Sequence, residues 1–177
     1  MRAKDLLLLV DTSVWLDLFI PSNSGHKAAW DFVRAAAEYE DDSYRDIKLL
    51  YPARVMGDVF YKVRLEAKRW IADASMGTSN QLACACRDHA WDCVKDMHAL
   101  GTAVGVDESD VSIAIGLRSL HEDLEDDFVL AAIERSDADY LVTSDTKLAR
   151  KARIPALSSD EMASMLRGGD TLGAGSR

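Results

Sequence analysis

The sequence predicts an α/β fold: a mainly parallel sheet held between two layers of helices. Two observations predict it. Short apolar runs such as "LLLLV" at residues 6–10 and "YLV" at 140–142 lack polar alternation, as strands covered on both faces do. Longer segments with apolar residues at helical spacing separate these runs, and strands joined through helices pair in parallel.

The elements follow in order. Residues 6–10 form a first strand, and Thr12 to Phe19 a helix stopped by "PSNSG". His26 to Glu40 repeats Ala29, Trp30, Val33 and Ala37 along one face, so it is helical, and "YEDDSYRD" reads as a solvated loop. "IKLLYP" gives a second strand, with Pro52 suited to the first turn of a long helix from about Ala53 to Ala72. "SMGTSN" breaks the chain before a helix from Gln81 to Leu100. "TAVGV" is a third strand, followed by helices at Ser109 to Leu120 and Asp127 to Arg135. "DYLVTSD" then repeats the opening pattern, an apolar strand that delivers hydroxyls and an acid. A short basic helix through Lys151, a turn or strand at "IPALS" and a helix from Asp160 to Leu166 complete a single domain over residues 1–167. Residues 168–177, "GGDTLGAGSR", read as a disordered tail.

With 177 residues and 48% hydrophobic content the chain buries a core of its own. The start "MRAKDLLLLVDTS" has too short an apolar run for a signal peptide, no run is long enough to span a membrane, and a cytoplasmic setting is expected. Three cysteines, all within residues 84–93, suit a reducing compartment better than a disulfide framework. The formal charge of −9 opposes general affinity for nucleic acid, so a polyanionic substrate needs local basic patches or metal ions.

The acids carry the functional argument. Asp11 and Asp145 each follow a strand, and the carboxyl ends of parallel strands lie on one edge of a sheet. Asp127 opens a helix whose first turn faces the same edge. Each alone reads as a helix cap worth about 0.5–2 kcal/mol. Together they repel unless protons or a cation intervene, and a hard divalent cation such as Mg²⁺ or Mn²⁺ suits clustered carboxylates. On the long helix, Asp58 flanks the stripe of Val55, Val59, Val63 and Trp70, placed to pack its helix and still reach a cleft. Glu66 lies nearer the middle of the stripe and is expected to pair with Lys62. Asp126 reads as a helix-start charge, with the alternative that it is the ligand in place of its neighbour.

"LLLVDTSVWLDLF", "YPARVMGDVFYKV", "LEDDFVLAAI" and "ADYLVTSDTKLARKARIPALSSDEM" together resemble the PIN-domain family of metal-dependent ribonucleases, in order and spacing across nearly the whole chain. The resemblance implies a three-layer α/β/α sandwich, endonucleolytic cleavage of RNA with Mg²⁺ or Mn²⁺, and catalytic acids at Asp11, Asp58, Asp127 and Asp145. Asp11, Asp127 and Asp145 would be the metal ligands, with Thr143 or Ser144 fixing water or a carboxylate. The family's second acid is usually Glu, and here it is Asp58, one methylene shorter. VapC-like toxin members imply a homodimer and a cognate antitoxin as partners. A PIN-like scaffold that binds RNA or protein without cleaving is the alternative.

Other clusters are weighed beside this one. Cys84, Cys86, His89 and Cys93 invite a zinc reading, but on one helix Cys84 points away from Cys86, so packed core thiols are expected. Lys147, Arg150 and Lys151 follow Asp145 with no acid among them and suit a phosphate backbone. Trp15, Phe19, Trp30 and Phe32 are expected mostly in the core. A haloacid-dehalogenase-type phosphatase needs a second acid where Ser13 stands, and a response-regulator receiver needs paired acids that "LLLLVDTS" does not supply.

Overall fold

The first strand, β1 (Lys4–Val10), lies at the centre of a five-stranded sheet, as its composition requires. Leu6, Leu8, Leu9 and Val10 are fully buried; Leu6, Leu8 and Val10 enter one core cluster and Leu9 the other. That is the two-residue alternation of a strand covered on both sides. The computed structural model describes residues 4–39, 44–74, 79–118 and 123–168. Along them run β1, α1 (Thr12–Phe19), α2 (His26–Ala37), β2 (Tyr44–Pro52), α3 (Val55–Asp73), α4 (Asn80–Leu100), β3 (Gly101–Val104) and α5 (Glu108–Leu117). There follow α6 (Leu124–Ser136), β4 (Tyr140–Val142), α7 (Thr146–Lys151), β5 (Ala156–Leu157) and α8 (Ser159–Gly168).

The strand order is β3-β2-β1-β4-β5, and every pairing among the described residues is parallel. One face carries α1, α2, α3, α4 and α8 through Trp15, Phe32, Val59, Met97 and Met162. The other carries α6 and α7 through Val129, Ile133 and Leu148. Burying each such large side chain contributes about 1.5–3 kcal/mol, which locks the strand ends in register. Val10 pairs with Val142 and Val142 with Leu157, so Asp11 and Thr143 emerge side by side at the carboxyl edge.

Several expected boundaries are corrected. Tyr44–Asp46, expected in a solvated loop, belong to β2. Pro52 ends β2 and does not open α3, which starts at Val55. Most consequentially, α6 starts at Leu124, not Asp127, because the Asp123 side chain accepts from the Glu125 N–H at 2.9 Å and caps it. Trp30, expected in the core, is 56% exposed, whereas Trp15 and Phe32 are buried. Cys86 and Cys93 are buried as expected and Cys84 is not. Gly168 ends α8, and residues 169–177, expected as a tail, lie outside the described residues. No helix among the described residues is long and apolar enough to cross a membrane.

Candidate active site

Asp11 is held by donors from Thr12, Ser13 and Thr143. It follows β1, caps α1 and is only 7% exposed. Its Oδ1 accepts from the Thr12 N–H at 2.7 Å, and its Oδ2 from the Ser13 Oγ at 2.6 Å and the Thr143 Oγ1 at 2.9 Å. Such donors substitute for lost water and fix the rotamer of a carboxylate. Thr143 in turn accepts from the Asp145 N–H at 3.0 Å, and Ser13 Oγ from the Ser144 N–H at 3.2 Å. The ends of β1 and β4 are therefore stitched through two hydroxyls. Asp145 caps α7, accepting from the Lys147 and Leu148 N–H groups at 2.7 and 3.1 Å.

A cavity of about 210 Å³ opens over this edge. Asp11, Thr12, Ser13, Leu16, Lys62, Asp123, Glu125, Asp126, Val129 and Asp145 line it. Asp11 and Asp145 thus serve as caps and as cavity acids at once. Asp127, expected as their companion, is 3% exposed and does not line the cavity; the adjacent Asp126 does. The earlier start of α6 explains the exchange. Asp123, Asp126 and Val129, spaced by three, face the cavity, while Asp127, Leu130 and Ala131 face inward. Burial, then the negative charges of Asp123, Asp145 and Asp11, push the Asp126 carboxyl up to about 6, with Lys151 opposing.

Asp58 also stays outside the cavity lining. It faces Arg54 at 3.9 Å, and Arg54 pairs with Glu125 at 3.2 Å while covering the Phe128 ring at 5.2 Å. Arg54 thereby ties α3 to α6 beside the cavity. Glu66 pairs with Arg69 at 3.3 Å, not with Lys62. Lys147, Arg150 and Lys151 are exposed on α7 next to Asp145. Of the expected hydroxyls, Thr143 holds Asp11 by its side chain, and Ser144 contributes its backbone N–H.

Ser13, Lys62, Asp123 and Glu125 were not singled out as site residues from the sequence. A signal existed for Ser13, since a hydroxyl two residues after an acid at a helix start commonly hydrogen-bonds that turn. Lys62 stands among the basic residues Arg54, Arg64, Lys68 and Arg69 along the long helix, which does not say which of them meets a cavity, and Glu125 carries no signal; both are brought in by packing of α3 and α6 against the sheet edge.

The lining offers a hard cation only oxygen ligands from carboxylates and hydroxyls, the donor chemistry of Mg²⁺ and Mn²⁺. Among the described residues no three His, Cys, Asp or Glu side chains stand together closely enough to enclose an ion. The fit is therefore to a cation that retains water and takes one or two carboxylates directly, as Mg²⁺ commonly does. A second cavity of about 490 Å³, between the end of α1, α3 and α4, is lined mainly by apolar groups such as Phe19, Val63 and Trp70 and gathers no acid cluster.

No family model matches the sequence, and no curated protein matches it. Solved structures do match its fold. VapBC2 from Rickettsia felis, solved bound to a DNA fragment from its promoter, shares 9% identity at a TM-score of 0.58, covering 86% of this chain and 98% of that one. VapC20 from Mycobacterium tuberculosis, described as a toxin that cleaves the sarcin–ricin loop, shares 13% at 0.58, covering 81% and 94%. A toxin–antitoxin complex from Klebsiella pneumoniae shares 18% at 0.51, covering 86% and 97%. These likenesses establish the fold.

Proposed function

We propose that this chain, which folds as a PIN-like three-layer α/β/α sandwich, is a metal-dependent endoribonuclease and the toxin of a toxin–antitoxin pair. The observation that carries the reading is the convergence of Asp11, Asp126 and Asp145 on one cavity at the carboxyl edge of the sheet. Charges gathered there are relieved by a cation; burial first, and then the neighbouring carboxylates, push the Asp126 carboxyl upward. Bound Mg²⁺ or Mn²⁺ supplies charge neutralisation at the phosphate and acidifies water.

The chain's own residues do the rest. Ser13 and Thr143 hold the Asp11 carboxylate in one orientation, so that no reorganisation is needed when substrate arrives. The Asp145 backbone is tied to Thr143 and Thr143 to Asp11, which keeps the ends of β1 and β4 at a fixed spacing. Asp126 closes the cavity from α6, and Asp58 supports that wall through Arg54 and Glu125. Lys147, Arg150 and Lys151 draw the phosphate backbone to the edge against the overall negative field. The solved toxin–antitoxin complexes of the same fold support a protein antitoxin as partner, and a homodimer in the cytoplasm belongs to the same reading.

A non-cleaving scaffold is the second reading, favoured by the position of Asp58, which pairs with Arg54 and leaves the cavity without a fourth expected acid. The deciding experiment incubates labelled RNA with wild type and Asp11→Asn, with Mn²⁺ and with chelator, and records melting temperatures alongside. Cleavage and thermal stabilisation that both need Mn²⁺ and Asp11 support the nuclease. RNA left intact and a melting temperature indifferent to Mn²⁺ leave the scaffold.

A further inference from the structure

We infer that Lys62 is a substrate-contacting residue: its ammonium, reaching the acidic cavity from α3, holds the non-bridging oxygens of the RNA phosphate that is cut. The inference rests on the nuclease reading above and adds to it the residue that makes an acidic cavity acceptable to an anion.

Among the described residues Lys62 is the one cation that lines the cavity, which it shares with Asp11, Asp123, Glu125, Asp126 and Asp145. Its neighbours on α3 are committed elsewhere. Arg54 is engaged by Glu125 and Asp58, and Arg69 by Glu66. Among the described residues Lys62 forms no ion pair or hydrogen bond, although carboxylates surround the cavity it lines. The backbone that carries it is nonetheless fixed, because Val59 and Val63, on either side of it in α3, are 0% and 2% exposed in the core. A rigid anchor with an uncommitted ammonium is the arrangement that a lysine needs to meet a mobile anion; the ammonium acts as a point charge with three donors.

Charge balance supports the assignment. Arg54 offsets Glu125, which leaves four carboxylates facing an incoming phosphodiester. One divalent cation offsets two of them, so the approaching anion still meets net repulsion unless a further cation lies inside the cavity. Lys147, Arg150 and Lys151 stand outside its lining, Lys151 close enough for its charge to act on Asp126, and Lys62 stands within it. The rival role, a counter-ion that merely quiets the acids, predicts a direct ion pair, and none forms among the described residues.

The test compares wild type, Lys62→Met and Lys62→Arg on a fluorescein-labelled single-stranded RNA of mixed sequence. Cleavage rate with Mn²⁺, melting temperature and the Mn²⁺-induced rise in melting temperature are measured for each. We expect Lys62→Met to lose roughly tenfold to a hundredfold in kcat/KM while the melting temperature and its response to Mn²⁺ stay at wild-type values. Lys62→Arg is expected to recover most of the loss, since it restores the charge. Lys62→Met that cuts as fast as wild type overturns the inference and leaves the nuclease reading standing. So does a variant that binds Mn²⁺ more tightly and cuts faster, because that is the behaviour of a counter-ion. Wild type that neither responds to Mn²⁺ nor cuts RNA overturns the nuclease reading itself, and the role of Lys62 with it.

Discussion

Thr143 donates its hydroxyl to Asp11 Oδ2 at 2.9 Å across 132 positions of sequence, and the parallel pairing of Val10 with Val142 is what makes them neighbours. The Thr143 hydroxyl oxygen also accepts from the Asp145 N–H, so one buried hydroxyl links two of the cavity acids. Thr143→Val keeps the shape and removes both bonds. We expect a loss of about 1.5–3 kcal/mol in stability, because one bond is to a charged group, measured by denaturant titration. Mn²⁺-dependent cleavage should fall by roughly tenfold to a hundredfold, as happens when a residue orienting a metal ligand is lost.

Asp126 and Asp127 are adjacent in sequence and opposite in expected behaviour. Asp126→Asn removes one of several like charges from the cavity, so the metal-free protein should melt at the same temperature or higher, and its response to Mn²⁺ should shrink. Asp127→Asn alters a side chain only 3% exposed, and should lower the melting temperature with and without Mn²⁺ alike. Thermal melts in chelator and in Mn²⁺ separate the two; the reverse pattern would return the site role to Asp127.

Arg135 joins α6 to the start of α5 through Asp110, Asp107 at 3.0 Å and the Gly105 carbonyl at 3.1 Å. Asp110 is 2% exposed, and without Arg135 its charge loses the guanidinium that compensates it. Arg135→Ala should cost about 3 kcal/mol, the lower end for a broken buried pair because Arg135 itself is partly exposed. Adding Asp110→Asn should restore part of that loss, which a double-mutant cycle in urea measures directly.

Burial, with Asp96 and Asp92 adding to it, pushes the Cys93 thiol from its ordinary 9.0 up to about 11. Since the folded protein holds this proton more tightly than the unfolded chain, Cys93 favours the fold below about pH 9 and loses that contribution as pH rises through about 11. At mildly alkaline pH iodoacetamide should therefore label exposed Cys84 first, leaving Cys86 and Cys93 until the chain unfolds. Mass spectrometry of the native and denatured protein, counting adducts, tests the order.

The acids at strand ends were legible because a strand end carries its own signature: an apolar run, a carboxylate and a hydroxyl, as in "LLLLVDTS" and "YLVTSD". In a parallel sheet that signature also states a location, the common carboxyl edge. Asp126 was harder. Which of two adjacent acids faces a cavity depends on where the helix begins, and that turned on capping by Asp123, several residues earlier. A shift of one residue rotates a side chain by about 100° around a helix, enough to exchange a cavity wall for the interior.

By itself the sequence determined the alternation of strands and helices, the two-faced burial of β1 and the presence of Asp11 and Asp145 at one edge, since these follow from local pattern and from the rules of parallel pairing. Only the tertiary structure decided that Asp126 and Lys62 enter the cavity while Asp58 and Asp127 do not. The physical reason is that a long helix can turn about its axis and still bury an apolar stripe. Packing of α3 and α6 against the sheet, with Arg54 tying the two together, selects which flank each presents.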